Sequence, residues 1–370
     1  MITRVYLDNF RCFSNFELEA NRTNLLIGAN GSGKSSFIDL ITRLLALVLD
    51  GHGVEALFPA DDLTRWDERL RQRFELDARI GDASYRYTVV VEHDRGGSQA
   101  SLKEERVSCD ERTLFAYADG VVRLHNNRGE ERTSFPFRGV RSFLAQIEER
   151  PETTDLKSFL DHLRCIHVQK LNPIDIASIS HEENQTLAID GANFASWYRH
   201  IAQERAADLQ GLFDNLRKVI PGFRALSLKG AGKQGRTRDL VAELASPDTE
   251  PYEIDFDAIS DGQRALIILY TLLIAPNGGA QVLLIDEPEN YVGLAEIQPW
   301  LVQLDDALGD EGQLFVISHH PEAIDFLAAE HPVLFERPDG GPVRLRKAVF
   351  ERDSGLKASE QIARGLIHGQ

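Results

Sequence analysis

The sequence is poor in the residues that build covalent or metal-held scaffolds. Only three residues of 370 are cysteine (Cys12, Cys109 and Cys165), and only one is methionine. Three widely spaced cysteines suit neither a disulfide framework nor a zinc knuckle, and a reduced, cytoplasmic setting is the simple expectation. Positive charge is also short: 41 Lys and Arg against 58 Asp and Glu give a formal net charge of −17. A chain this acidic is not a generic DNA-binding domain, which needs clustered basic residues against phosphate. Long apolar runs are missing as well. The longest, residues 265–275, falls well short of the roughly 20 residues that a membrane span requires. No basic stretch followed by an apolar one opens the chain, so neither a secretory leader nor membrane contact is expected.

What is present organises the chain. Hydrophobic residues make up 42% of it, which argues against wholesale disorder. Residues 3–8, 15–19 and 24–28 read as strands, the third apolar and ending in a Gly-rich turn. Phe37, Ile38, Ile41, Leu44, Leu45 and Val48 then recur at helical spacing. Strand, Gly-rich loop and helix open an α/β nucleotide-binding fold. From residue 73 to 126 the pattern changes to alternation, as in Phe74, Leu76, Ala78 and Ile80, which predicts an antiparallel meander. Residues 138–220 are expected to be mostly helical, with a short strand at 165–168. Strands at 223–228 and 240–244 flank a Gly-rich basic loop. After Pro251 strands and helices alternate to about residue 318, and the tail predicts a hairpin around Asp339, Gly340 and Gly341 and a last helix. No internal repeat appears, nor any heptad run long enough for an extended coiled coil.

Four motifs carry chemistry. Gly28-Ala29-Asn30-Gly31-Ser32-Gly33-Lys34-Ser35, followed by Ser36, matches G-x-x-x-x-G-K-[ST]. Its glycines let the backbone wrap a phosphate and aim N–H groups inward, and the helix N-terminus adds partial positive charge. Lys34 is expected to neutralise the β- and γ-phosphates of ATP and Ser35 to ligate Mg²⁺. The second motif, residues 282–287, is four apolar residues and then Asp286 and Glu287. This reads as a buried parallel strand whose carboxyl end carries a metal carboxylate, Asp286, and a base, Glu287, that orients or deprotonates water. In the third, Ser260-Asp261-Gly262-Gln263-Arg264 precedes an apolar helix. Ser260 and Gln263 fit an ordinary capping box. The same hydroxyl and the bare Gly262 N–H also make an anion site at a helix N-terminus. A helix placed there cannot easily fold back onto its own P-loop, so the phosphate it caps is expected to belong to a second subunit. The fourth is His319, at the end of an apolar strand, where it can sense a γ-phosphate; His320 competes for the role, and a surface turn into Pro321 is the plain alternative.

Together these motifs resemble the ABC-type ATPase heads of the SMC, RecF-like and OLD (overcoming lysogenization defect) group. Residues 1–41, with Asn9-Phe10-Arg11 ahead of a hairpin and the P-loop, are similar to the group's N-terminal block. Residues 260–263 resemble the ABC signature, Asp286-Glu287-Pro288-Glu289-Asn290 the D-E-P-E block, and Ser318-His319-His320-Pro321 the switch-histidine turn. The resemblance implies an α/β ABC-ATPase head with a P-loop core sheet, an antiparallel β subdomain and a helical lobe. It divides the chain at 1–50 and 251–370 for the two halves of the ATPase core, 51–137 for the β subdomain and 138–250 for the helical lobe. It further implies Gln169 as the Q-loop glutamine that touches Mg²⁺ and water, and Arg11 as an arginine that reaches the nucleotide. Residues 290–294 depart from the Leu-His-Pro common in the group.

The implied partners are a second copy of the chain, joined through an ATP sandwich, and a separate effector, a nuclease or toxin of a prokaryotic anti-phage system. Too few residues follow His319 for a TOPRIM nuclease, so any nuclease is expected on another polypeptide. A RecF-like DNA-repair role is the alternative, with the basic loop at 229–238 meeting DNA phosphates or, more plainly, forming a solvated turn. A transporter ATPase is disfavoured by the long insertion between P-loop and signature, and a GTPase by the missing N-K-x-D motif.

Overall fold

The computed structural model describes residues 1–370 except 97–98, 149, 232–235, 247–249, 276–280, 329–331, 352–354, 367 and 370. The chain opens with β1 (Ile2–Asp8), β2 (Phe16–Glu19), β3 (Thr23–Ile27) and α1 (Lys34–Leu45). After a short helix, α2 (Val54–Leu57), come β4 (Arg71–Ile80), β5 (Ala83–His93), β6 (Ala100–Cys109), β7 (Arg112–Ala118), β8 (Val121–His125) and β9 (Glu131–Pro136). The middle of the chain holds α3 (Thr154–Arg164), β10 (Ile166–Gln169), β11 (Ile179–Ser180), α4 (Phe194–Glu204), α5 (Leu209–Val219), β12 (Phe223–Ala231), β13 (Thr237–Leu244) and β14 (Tyr252–Asp255). Last come α6 (Asp261–Leu272), β15 (Val282–Asp286), α7 (Leu294–Leu308), β16 (Gln313–Ile317), α8 (Pro321–Leu327), β17 (Pro332–Glu336), β18 (Arg344–Val349), α9 (Ala358–Ala363) and β19 (His368–Gly369).

The central sheet has the order β10-β15-β16-β3-β17-β18-β19, and its first five strands run parallel. β3, β15 and β16 are buried at every position, as unbroken apolar runs are when both sheet faces are covered. Their side chains alternate between two cores. Leu26, Leu284 and Phe315 join one built with α1, α3 and the antiparallel sheet; Leu25, Leu283 and Val316 join another built with α4 to α8. The parallel sheet is thus the middle layer of three.

The antiparallel sheet is larger than alternation alone predicts. Its order is β2-β1-β4-β5-β6-β7-β8-β9, so the N-terminal hairpin is part of it, with Val5 paired to Leu76. Gln313, buried at the start of β16, bridges the two sheets: its amide oxygen accepts from the Ile2 N–H at 2.7 Å and its NH₂ donates to the carbonyls of Ile2 and Asn21, each at 2.7 Å. A small third sheet holds β11, β12, β13 and β14.

Residues 138–220 are less helical than expected. Helices α3, α4 and α5 are there, but residues 170–193 hold no α-helix, only a 3₁₀ turn at Pro173–Asp175 and the two-residue β11. Asn172, Asn184 and Asn193 turn their side chains onto neighbouring residues, Asn193 accepting from the Ala188 N–H at 2.7 Å. Such local bonds offer the backbone an alternative to the helical ladder. Among the described residues no helix is long and apolar enough to cross a membrane.

Candidate functional site

The parallel sheet brings the motifs together because each follows the carboxyl end of a neighbouring strand. Gln169 ends β10, Asp286 ends β15, Ser318 and His319 follow β16, and the Gly28–Ser35 loop follows β3. The register keeps these ends level: Gln169 lies opposite Ile285, Asp286 opposite Ile317, and Ile317 opposite Leu26. Ligands of open α/β sheets bind at this edge.

A cleft of about 510 Å³ opens there, lined by Asn30, Gly31, Gly33, Lys34, Ser35 and Ser36, with Arg11, Glu287 and His319 beside them. Gly33 sits at φ +105°, and a Cβ on it would lie 3.0 Å from Cys12 Sγ, Phe13 Cζ and Val343 Cγ2, so a larger residue there is strained and crowded. Lys34 is buried and donates to the carbonyls of Gly28 (2.7 Å) and Ala29 (3.1 Å) within its own loop. Burial lowers its pKa, and the nearby carboxylates of Glu287 and Asp286 act against that.

Asp286 and Gln169 supply the oxygen atoms a cation needs. Asp286 is buried, its Oδ2 lies 3.1 Å from Lys170 Nζ, and its Oδ1 has no partner. Gln169 is buried on the adjacent strand, and its Oε1 is likewise unpartnered. Orphaned buried oxygens are costly unless something pairs with them. With the exposed Ser35 hydroxyl they suit Mg²⁺, which takes few protein oxygens and shares the rest with phosphate and water. Among the described residues no cluster of three or more His, Cys, Asp or Glu able to hold a metal occurs.

Glu287 has φ +53°, a left-handed conformation that is uncommon for a residue with a side chain. Its N–H donates to Ile317 O at 2.9 Å, one carboxylate oxygen accepts from Asn290 Nδ2 at 2.8 Å, and the other lies 3.7 Å from His319 Nε2. His320 does other work: its Nδ1 accepts from the Glu322 N–H at 3.2 Å and caps α8. This leaves His319 as the histidine facing Glu287.

Arg11 reaches the cleft in the left-handed conformation, at φ +49°. It pairs with Asp62 at 2.6 Å and Asp39 at 2.8 Å, and Arg43 pairs with the same two carboxylates. Ser260, Gly262 and Gln263 stand apart, as none of them lines this cleft. Ser260 and Gln263 do form the capping box: Ser260 Oγ accepts from the Gln263 N–H at 3.3 Å, and Gln263 Oε1 accepts from the Ser260 N–H at 3.4 Å. A Cβ on Gly262 would meet Tyr291 O at 2.5 Å, so the loop after Glu289 lies directly on the helix tip.

Several contributors have roles that the sequence does not assign. Lys170 adjoins Gln169, yet nothing in the sequence aims it at Asp286. Glu289 Oε1 gathers the turn after β16, accepting from Ser318 Oγ (2.8 Å), the His319 N–H (2.9 Å) and the His320 N–H (3.2 Å). Arg337 donates to Gly31 O at 3.2 Å from across the cleft, and no motif marks it. In the basic loop Lys229 is paired with Glu253 and Arg236 is exposed, while residues 232–235, including Lys233, lie outside the described residues.

A family model with the description "AAA domain, putative AbiEii toxin, Type IV TA system" matches residues 23–325. The chain belongs to this AAA family. AAA domains are nucleotide-binding ATPase modules, and the matched span carries the P-loop and the Asp286-Glu287 strand. The fold is similar to that of an SMC head solved with the C-winged helix domain of ScpA: TM-score 0.57 and 15% identity, over 94% of this chain and 98% of that one. A second SMC head, with an extended coiled coil and bound to the C-terminal domain of ScpA derived from Pyrococcus furiosus, matches with TM-score 0.50 and 13% identity, over 99% and 98%. The architecture is therefore that of an ABC-ATPase head of the SMC kind. No curated protein matches the chain in sequence.

Proposed function

We propose that the chain binds ATP with Mg²⁺ in the cleft at Lys34 and hydrolyses it, two copies closing on each nucleotide. The observation that supports this most directly is the convergence of Lys34, Glu287 and His319 in one cleft, beside two buried, unpartnered oxygens on the neighbouring strand ends. Lys34 exchanges the loop carbonyls for the β- and γ-phosphates. Mg²⁺ held by Ser35, Asp286 and Gln169 would offset phosphate charge. Glu287 orients or deprotonates the attacking water, and His319 contacts the γ-phosphate. Arg11 adds positive charge at the nucleotide. The Ser260 hydroxyl, Gly262 N–H and Gln263 of a second copy complete the γ-phosphate shell, so the nucleotide is itself part of the interface and its loss loosens the pair. Catalysis rests on positioning and electrostatics.

The proposed output is the gating of a separate effector, a nuclease or toxin of a cytoplasmic prokaryotic anti-phage system. The family's description names a putative toxin and a Type IV TA system; the separate effector is a step of this proposal beyond that description. Glu287→Gln tests the mechanism. Its turnover falls by roughly 10²–10⁴-fold, the range for a positioned base, while size-exclusion chromatography shows a dimer held by ATP and absent without it. An unchanged hydrolysis rate removes Glu287 from its role.

A further inference from the structure

Phosphate chemistry accounts for only part of the lining of the cleft around Lys34. The same cleft is also lined by Leu63, Arg65 and Trp66. Trp66 is 48% exposed, whereas Trp197 and Trp300, the other two tryptophans of the chain, are 3% and 0% exposed in the helical core. An indole left open at the wall of a polar cleft is an apolar surface without a packing partner. What covers it is a cation, with the Arg337 guanidinium carbon 5.9 Å from the ring centroid. The same guanidinium donates to Gly31 O at 3.2 Å. One side chain therefore spans the distance from the phosphate loop to the indole.

We propose that the base of the bound nucleotide stacks on the Trp66 ring, in the place now held by the Arg337 guanidinium. The inference rests on the nucleotide reading of the Lys34 loop and adds the subsite for the base. A flat π-system suits an indole face, and stacking of a base on an aromatic side chain tolerates different bases because each presents such a face. Trp66 therefore contributes affinity for nucleoside triphosphates of any base, larger for purines than for pyrimidines.

The exposed position of Trp66 makes it its own reporter. The test compares wild type, Trp66→Phe and Trp66→Ala, using ATP and inorganic tripolyphosphate as probes, with affinities from calorimetry and the Trp66 emission taken as wild type minus Trp66→Phe. The expected result is that ATP, but not tripolyphosphate, quenches the Trp66 emission. Trp66→Ala then weakens ATP binding by roughly ten- to a hundredfold, Trp66→Phe retains most of it, and tripolyphosphate affinity is the same in all three proteins, which also reports an intact fold. ATP that binds with unchanged Trp66 emission and equal affinity to Trp66→Ala overturns the base subsite and leaves the phosphate site standing. Binding of neither probe, in any of the three proteins, overturns the nucleotide reading and the subsite with it.

Discussion

Glu105 offers a quantitative test of the antiparallel sheet. It lies on β6, fully buried, and one carboxyl oxygen accepts from Tyr87 OH at 2.8 Å and Ser142 Oγ at 2.7 Å. The other oxygen has no partner. Burial pushes its pKa up from 4.5 to about 7, against the two hydroxyl bonds that favour the charged form. A carboxyl with a raised folded pKa makes the folded state the better proton binder between those values. Its stabilisation is complete below pH 4.5 and is lost as pH rises through 7. Each tenfold change in proton affinity is worth about 1.4 kcal/mol, so the loss totals about 3 kcal/mol. Glu105→Gln keeps an acceptor for Tyr87 and Ser142 and cannot ionise. His162, whose pKa burial lowers to about 4, contributes the opposite slope, but it is common to both proteins and cancels in their difference. The assay is urea unfolding of both from pH 4.5 to 8.5. The stability of Glu105→Gln relative to wild type should rise by about 3 kcal/mol across that span and level off above pH 7. A difference that stays flat with pH would refute a buried, titrating Glu105.

Two further outcomes concern the nucleotide site. Lys170, its side chain 62% exposed, holds Asp286 Oδ2 at 3.1 Å and so competes with Mg²⁺ for that carboxylate. Lys170→Ala should lower the Mg²⁺ concentration that half-saturates ATP hydrolysis by up to about fivefold, the scale of a half-exposed ion pair; an increased requirement would instead make Lys170 a ligand-side group. Gly262→Ala puts a Cβ against Tyr291 O, displacing the loop that rests on the helix tip. In the Glu287→Gln background it should abolish the ATP-held dimer while ATP affinity of the single chain is retained, read by size-exclusion chromatography and calorimetry. A dimer that persists would exclude the Gly262 surface from the interface.

The parallel core was legible where a strand is mostly apolar and leads into a polar motif, as in Val282–Asp286 and Gln313–Ile317. Periodicity also located α1, and alternation located the body of the meander. The pairing of β1 with β4 was not legible, since β1 alternates as any half-buried strand does and nothing in its own residues names its partner. The Asn-rich stretch at 170–193 misled in the other direction, its apolar residues being too few to expose the missing helical period. Within the site, Glu287 and Lys34 announce themselves through their neighbours in sequence. Glu289 as the anchor of the His319 turn and Arg337 as the bridge to Trp66 do not, because their partners are distant in the chain. Arg337 and its acceptor Gly31 are 306 residues apart.

The placement of β3 has a consequence for biosynthesis. It is buried at all five positions, yet the strands that flank it, β16 and β17, are made long after it; Asn24 donates to Leu314 O across 290 residues. A growing polypeptide on the ribosome therefore carries the phosphate loop on a strand with both edges open and both faces unshielded, a segment prone to mispairing. Glu287 and His319 are translated long after Lys34. A truncated product carries the Lys34 loop without the groups proposed to cleave ATP, so premature release from the ribosome yields a chain that cannot switch.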